Sequence, residues 1–422
     1  MADKYKLKDK VLLCYDYGTN IDFAIKMAEF YGRVYLYCPY EEAYPHPYRG
    51  RIGTGIENVI KIYNIWDYFN EIDIFCFPHL FQGSFQMWLR SQGKVVYGSG
   101  RGEDLEIYRD RFKELQKQLD MPLNDYKVIE GFDDLVEHLK LNDDLYIKNN
   151  VYRGLMETWH HDNYRTSKPF LDFLRNEYGM FQNKEKFIVE TPIKDACEYG
   201  FDSFCVDGKF PENNVAGVEV KDSAYICKFI SYKSLPKAVL DANVKLSPIL
   251  EMYGYRGWYS NEMRSIGKDK AILTDMTCRS ASPPTTLAFE MFENAGEYVW
   301  EVANGIVPNV KSKYKYGCQI IITSEWARKE PLAITFPEKY KSNVRIKNLS
   351  IEEGVYWFLP QVDEMTQVGC VLGWGDTLKQ ATEMATKIAK EVKGFNIEIK
   401  CDALEEANEV IEKMKKQGIN LF

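Results

Sequence analysis

The sequence predicts a multidomain protein of mixed α/β and α+β class, and three observations carry that prediction. At 422 residues the chain exceeds what one hydrophobic core ordinarily organises. Its N-terminal quarter alternates short apolar runs with helical periodicity, the pattern of a parallel sheet covered by helices. Further on, the runs Ser203 to Val206, Val215 to Val220 and Tyr225 to Ile230 are separated by turns too short for crossover helices, so they read as antiparallel neighbours.

Taken in order, Val11 to Tyr15 is an apolar run followed by Gly18-Thr19-Asn20, and Ile21, Ala24, Ile25, Ala28 and Phe30 then recur at helical spacing. Further apolar runs at Val34 to Cys38, Ile72 to Phe77 and Lys94 to Tyr97 complete an α/β unit over 1–102. Leu105, Tyr108, Phe112, Leu115 and Leu119 predict one helix from Glu103 to Leu119, stopped by Met121-Pro122. A strand at Tyr126 to Ile129, a helix from Phe132 to Leu139 and strands at Leu145 to Lys148 and Phe187 to Thr191 follow.

After the antiparallel set come two strands around Glu262 and Asp275, then one helix from Thr285 to Ala303, closing a central unit over 103–310. The remaining 311–422 reads as a mixed terminal unit. It has strands at Cys318 to Thr323 and Gly369 to Gly373 with irregular chain between them, and helices at Leu378 to Val392 and Leu404 to Lys416.

Composition narrows the function classes. A hydrophobic fraction of 45% and an aromatic fraction of 14% supply packed cores and argue against extended disorder. The formal net charge of −8 disfavours a general nucleic-acid surface and leaves room for a local basic patch. The 10 cysteines lack the spacing of a zinc knuckle or redox pair, so they read as reduced core residues of a cytoplasmic protein. No secretory h-region or bilayer-length apolar stretch is read, and a membrane partner is not expected.

Several residues have the chemistry of a phosphate and metal site. Lys148, at a strand end before a polar loop containing Arg153, can reach phosphate oxygens as a point charge, and Arg153 adds a planar donor; two solvated cations are the competing reading. Lys113 lies on a charged helix and reads as a surface lysine unless it meets Lys148.

Val189-Glu190 ends a strand whose backbone can face an adenine edge, while Glu198 and Asp202 are acidic candidates for ribose or substrate. Glu262, Asp275 and Thr277 offer hard oxygen ligands from two consecutive strands, with Arg279 two residues beyond, and a structural salt-bridge network is the alternative. Arg49, Arg51 and Gly53-Thr54-Gly55 can contact an acidic substrate or form a surface loop. Adjacent His160 and His161 point to opposite sides of an extended chain and make poor joint ligands.

The ordered set Lys113, Lys148, Val189-Glu190, Glu198, Glu262, Asp275 and Arg279 resembles the ATP-grasp superfamily, and within it the carboxylate–amine ligases related to phosphoribosylamine–glycine ligase. The tail segment Gly373-Trp374-Gly375-Asp376-Thr377-Leu378, with Ala381 and Ala385, is similar to the terminal domain of those ligases.

The resemblance implies an ATP-grasp fold behind an N-terminal Rossmann-like domain, with a lid over approximately 125–187. It places Lys113, Lys148 and Arg153 on ATP phosphates, Val189 and Glu190 at the adenine, Glu198 at the ribose, and Glu262, Asp275 and Thr277 on Mg2+, with Mn2+ as an alternative. Arg279 would stabilise the transferred phosphate. Thr277 stands where the family usually has asparagine, and Asp275 replaces the commoner glutamate.

The implied reaction joins a small-molecule carboxylate to an amine through an acyl phosphate. The two substrates stay open, a modified nucleotide among them, and so does a homo-oligomeric state. A nucleotide-binding assembly or regulatory protein without turnover, and an ATP-dependent small-molecule kinase, are the rival classes.

Overall fold

Residues 4–39, 48–151, 158–220, 223–361 and 366–422 are described by the structure, a computed structural model. A parallel five-stranded sheet forms first, from β1 (Val11–Tyr15), β2 (Arg33–Tyr37), β3 (Val59–Ile62), β4 (Ile74–Cys76) and β5 (Val95–Tyr97), in the order β3-β2-β1-β4-β5. Both faces are covered: Leu12 and Cys14 of β1 join the main core, whereas Leu13 between them packs with Tyr35, Phe75 and Leu89 on the opposite side. The chain reverses its direction across the sheet between β1 and β4, so the loops leaving these strands open a crevice at their C-terminal ends. The helices α1 (Ile21–Ala28) and α2 (Gly83–Ser91) follow those two loops.

The helix expected from Glu103 to Leu119 is broken into α3 (Asp104–Ile107) and α4 (Arg109–Gln118). Tyr108 leaves helical geometry, with φ −111° and ψ 85°, and its backbone bridges to Val151. The orphan amides at the start of α4 are satisfied from a neighbouring segment: Arg109 N donates to Asn150 O at 3.1 Å and Asp110 N to Asn150 Oδ1 at 2.7 Å.

That neighbour belongs to a small antiparallel sheet of β6 (Tyr126–Glu130), β7 (Leu145–Asn149), β8 (Thr158–His161) and β9 (Lys186–Glu190), ordered β6-β9-β7-β8. With α5 (Phe132–Leu139) and α6 (Tyr164–Tyr178) it owns a separate core around Phe132, Leu135, Ile147 and Phe187. A unit with its own core can move against its neighbours without unfolding.

The third assembly is a nine-stranded sheet. It contains β10 (Glu198–Val206), β11 (Asn213–Val220), β12 (Ala224–Ser231), β13 (Arg256–Gly267) and β14 (Lys270–Thr277), backed by α7 (Lys237–Met252), α8 (Pro284–Met291) and α9 (Ala295–Ala303). The helix expected from Thr285 to Ala303 is thus two helices. Phe292 between them is extended, with φ −69° and ψ 144°; it bridges to Ser312 and sets its ring among Phe204, Trp258 and Phe289.

The sheet continues through residue 310, where the sequence placed a division, because β12 pairs with β15 (Tyr316–Thr323). The stretch expected to be irregular holds β16 (Leu332–Thr335), β17 (Val344–Ile346), β18 (Leu349–Glu352) and β19 (Val355–Phe358), each too short to display a period of its own. Then β20 (Gln367–Gly375) enters the large sheet between β15 and β17. The terminal helices α10 (Leu378–Ala389) and α11 (Ala403–Lys416) bracket two short strands, β21 (Lys393–Gly394) and β22 (Glu398–Ile399). All ten cysteines are free thiols and nine are buried. Among the described residues no helix is long and apolar enough to cross a membrane.

One buried carboxylate ties the assemblies together. Glu290 on α8 accepts from Lys26 of α1 at 2.9 Å and from Arg345 of β17 through a short hydrogen bond, and these three side chains are 5%, 6% and 8% exposed. Burial alone raises the Glu290 carboxyl, but Arg345 and Lys26 outweigh it and hold the group below the ordinary carboxylate range.

A carboxylate lowered in this way stabilises the fold fully above its unfolded pKa, and that stability is lost as pH falls through the lower folded value. Glu290→Gln is therefore expected to cost about 3 kcal/mol near neutral pH, because two buried cations lose their counter-charge. In urea denaturation followed from neutral pH downwards, the deficit should shrink as acid protonates the wild-type carboxylate; a deficit independent of pH would contradict the ion-pair account.

Candidate functional site

The strands β10, β13 and β14 lie side by side, and their alternating side chains build the site. Three rows cross the sheet. Glu198 faces Arg264, Gly200 faces Glu262 and through it Asp275, and Asp202 faces Ser260 and through it Thr277. These rows line a cleft of about 100 Å3 that Arg279, Ser282 and Pro284 close from the loop after β14. Glu198, Glu262, Asp275, Thr277 and Arg279, separated by up to 81 residues in the chain, therefore share one cleft, because β13 pairs with β10 after the excursion through β11, β12 and α7, and a short turn then brings β14 alongside β13.

Cations reach Asp275 from the small sheet. Lys148 at the end of β7 donates to Asp275 Oδ2 at 2.7 Å and lies 3.5 Å from Glu190 Oε2. The other oxygen of Glu190 stands 2.5 Å from Lys113, which is 4% exposed rather than on the surface where its charged helix suggested. Glu190 thus joins the two lysines whose association the sequence left open.

Arg109, at the broken start of α4, lies 3.9 Å from Asp275 and donates to Asn149 O at 3.0 Å. Nothing in its pattern separated it from the other charges of α4. Arg264 was also missed: it donates to Glu198 Oε2 at 2.5 Å and stands 3.7 Å from Glu262. Its position two residues after Glu262 on the same strand was the available signal.

The same recess makes unequal acids of neighbours. Glu262 is pushed up to about 7 by burial and by the negative charges of Glu198 and Asp275. Burial acts on Asp275 in the same direction, yet Lys148 and Arg109 outweigh it and hold the group below the usual carboxylate range. Lys148 in turn is raised, because Asp275 and Glu190 overcome the burial that disfavours its charge. Such separation of paired carboxyls is characteristic of sites that handle charge.

Asp202, weighed as a contact to ribose or substrate, is engaged by neighbouring side chains of the same cleft. It is 2% exposed, accepts from Tyr225 Oη at 2.6 Å and Ser260 Oγ at 2.5 Å, and forms the floor of the cleft. Glu106 of α3, also unforeseen, accepts from Cys278 N at 2.6 Å and Arg279 Nε at 3.0 Å, and so orients Arg279.

Other expected contacts fall elsewhere. Val189 lies in β9 between β6 and β7 with its side chain in the core of the small sheet, so an adenine edge would meet the chain only beyond Glu190. There Thr191, Pro192 and Ile193 border an open cavity of about 650 Å3. Arg153 and Gly154 lie outside the described residues. Arg51 pairs with Glu352 at 2.6 Å, a contact between the N-terminal unit and β18. His161 is buried against Ser167 and Leu139 O, whereas His160 stands between Asp144 and Asp162.

Among the described residues no group of three His, Cys, Asp or Glu side chains is arranged to hold a metal by itself. Magnesium keeps waters and takes only one or two carboxylates when phosphate oxygens complete its shell. Glu262 and Asp275, directly opposite one another with Thr277 in the next row, are a hard-oxygen donor set of that incomplete kind, and Lys148 and Arg279 flank it with positive charge. The residues fit a magnesium–phosphate group.

No family model matches the sequence, and no curated protein matches it. Solved structures do match over nearly the whole length. Phosphoribosylamine–glycine ligase from Thermotoga maritima aligns at a TM-score of 0.66 and 15% identity, over 93% of this chain and 99% of that one.

The biotin carboxylase domain of 2-oxoglutarate carboxylase from Hydrogenobacter thermophilus, in complex with MgADP, ADP and bicarbonate, gives 0.66 and 12% over 97% and 95% of the two chains. A biotin carboxylase–β,γ-ATP complex from Campylobacter jejuni gives 0.66 and 12% over 96% of each. With its parallel sheet, small antiparallel sheet and large antiparallel sheet, the chain has the ATP-grasp fold, preceded by a Rossmann-like N-terminal domain.

Proposed function

We propose that the protein is an ATP-dependent carboxylate–amine ligase that forms an amide bond through an acyl phosphate. The reading rests above all on the row Gly200–Glu262–Asp275: two carboxylates face each other across β13 and β14, with Lys148 on one of them and Arg279 at the same cleft. Solved structures with this fold include complexes with MgADP and with a β,γ-ATP ligand, which supports ATP as the nucleotide here.

On this reading Lys148 and Lys113 bind the phosphates, with Arg153 as a further donor, and the base lies beside the cavity at Thr191 to Ile193. Glu198 meets the ribose when Arg264 yields it. Glu262 and Asp275 would hold Mg2+, or Mn2+, with Thr277 beside them, and the ion would neutralise negative charge on the phosphates.

A substrate carboxylate oxygen then attacks the terminal phosphorus, the bond to the ADP oxygen breaks, and Arg279, oriented by Glu106, faces the charge on the transferred group. An amine next attacks the acyl carbon and phosphate leaves. The small sheet of β6 to β9, with its own core, serves as the lid that keeps water from the acyl phosphate.

The decisive assay incubates the protein with ATP, Mg2+ and pools of small carboxylates and amines, and measures ADP release and amide product together. ADP release that requires both substrates supports the ligase. Release that needs no amine and leaves a stable phosphorylated product identifies a kinase, and ATP binding without release across the pools identifies a binding protein.

Within an active assay, Asp275→Asn is expected to lower turnover about a hundredfold at limiting Mg2+. Unchanged turnover there would remove Asp275 from the metal. Lys148→Ala should raise the Km for ATP about tenfold or more through loss of a charge-assisted contact. An unaltered Km and rate would exclude Lys148 from the phosphate site.

A further inference from the structure

The lysines nearest the cleft are paired: Lys148 with Asp275 and Glu190, Lys113 with Glu190, and Lys26 with Glu290. Lys347, in the turn between β17 and β18, is different. It is half-buried, and among the described residues no carboxylate lies within ion-pair distance of it. Its ammonium nitrogen meets Gln367 Oε1 at 3.2 Å, and Gln367 Nε2 lies 3.5 Å from the hydroxyl of Ser282 on the cleft wall.

The backbone at this point is held from two sides. Lys347 N donates to Val368 O at 2.9 Å, and Asn348, in the left-handed region at φ 48°, donates to Gly18 O at 2.8 Å. Gly18 itself has no room for a side chain, since a Cβ there would lie 2.6 Å from Gln361 Nε2 and 2.7 Å from Asn348 Oδ1. The terminal unit therefore delivers Lys347 to the crevice at the ends of β1 and β4, opposite the loop that carries Arg279 and Ser282.

We infer that Lys347 takes the proton from the amine substrate, a role that rests on the ligase reading and assigns the terminal unit to the second half-reaction. Near neutral pH an alkyl amine or ammonia is a cation without a lone pair. One N–H proton must pass to a base before that lone pair attacks the acyl carbon; the bond from carbon to the phosphate oxygen then breaks, and the second N–H proton leaves with the phosphate as hydrogen phosphate. Neutral Lys347 accepts the proton, becomes an ammonium and returns it to solvent.

The surroundings shift Lys347 toward its neutral form. Asp22 on α1, Asp16 after β1 and Cys370 on β20 bear on Lys347 from a distance, Arg279 and the ring of His79 face it across the crevice, and Arg345 on its own element is taken up by Glu290. Burial, helped by Arg279, lowers Lys347 to about 8 against the pull of the acids.

The test uses two small acceptors of similar size with the carboxylate that supports turnover: ammonia, which is mostly ammonium at neutral pH, and hydroxylamine, which is already neutral. For Lys347→Met and Lys347→Arg the ratio of kcat/KM for ammonia to that for hydroxylamine is expected to fall about a hundredfold, the ordinary worth of a general base. The wild-type ammonia profile should lose rate as pH drops through about 8, and both variants should lack that limb.

Restoration of the ratio by arginine would mean that the residue holds an anion and would overturn the proposal. An unaltered ratio in both variants would overturn it as well. Neither outcome touches the ligase reading, which fails separately if wild-type protein releases no ADP with either acceptor. In that case a 13C-methylated preparation still decides the lysine: a resonance absent from Lys347→Arg and titrating with the bulk lysines would overturn its assignment as a base.

Discussion

The buried carboxylate of Glu290 is the contact on which the arrangement of the molecule depends. It neutralises Lys26 from the Rossmann-like domain and Arg345 from the terminal unit while sitting on a helix of the central sheet. Each of its partners lies a few residues from a part of the site. α1, which carries Lys26, also carries Asp22 and begins just after the loop containing Asp16. β17, which carries Arg345, runs into Lys347, and α8 follows the loop bearing Arg279 and Ser282. Two cations buried against one anion hold little slack, since moving either partner away strands a charge in an apolar interior. The crevice between the three assemblies inherits its dimensions from that knot.

A second set of ion pairs is placed to give way. Lys148 is on the small sheet and Asp275 on the large one, so their 2.7 Å contact is an electrostatic link between the two sheets and, on the proposed reading, stands where a phosphate would bind. Phosphate oxygens offer a lysine the same charge-assisted bonds, so a nucleotide bound as proposed would take over the link without leaving the buried ammonium unpaired. Glu198 and Arg264 form an analogous pair at the other end of the row. The acids differ in charge state for one reason: cations reach Asp275 directly, whereas Glu262 faces mostly other acids.

Much of this was legible in the sequence because it depends on local alternation. Glu262, Asp275 and Thr277 fall on one face of their strands through the period of two, and the short turns between β10, β11 and β12 leave no topology except antiparallel neighbours. The two broken helices were not legible, because Tyr108 and Phe292 leave helical geometry for bridges to Val151 and Ser312, partners forty-three and twenty residues away. The strands between Thr323 and Gly369 were hidden by their length. Lys113 looked like a surface residue because a helix of charges reads as solvated until a buried acid such as Glu190 is known to lie over it.

The sequence by itself determined the class of the fold, the order of its acidic and basic site residues and the faces on which the strand residues lie, since all of these follow from spacing along a regular backbone. Only the tertiary structure decided which charges meet. That Arg109 and Arg264 serve the acid row, that Glu106 orients Arg279, and that Lys347 stands at the crevice with no carboxylate partner among the described residues are consequences of packing between distant segments. Electrostatic interactions fall off with distance and depend on burial, and neither quantity is written in the order of residues along the chain.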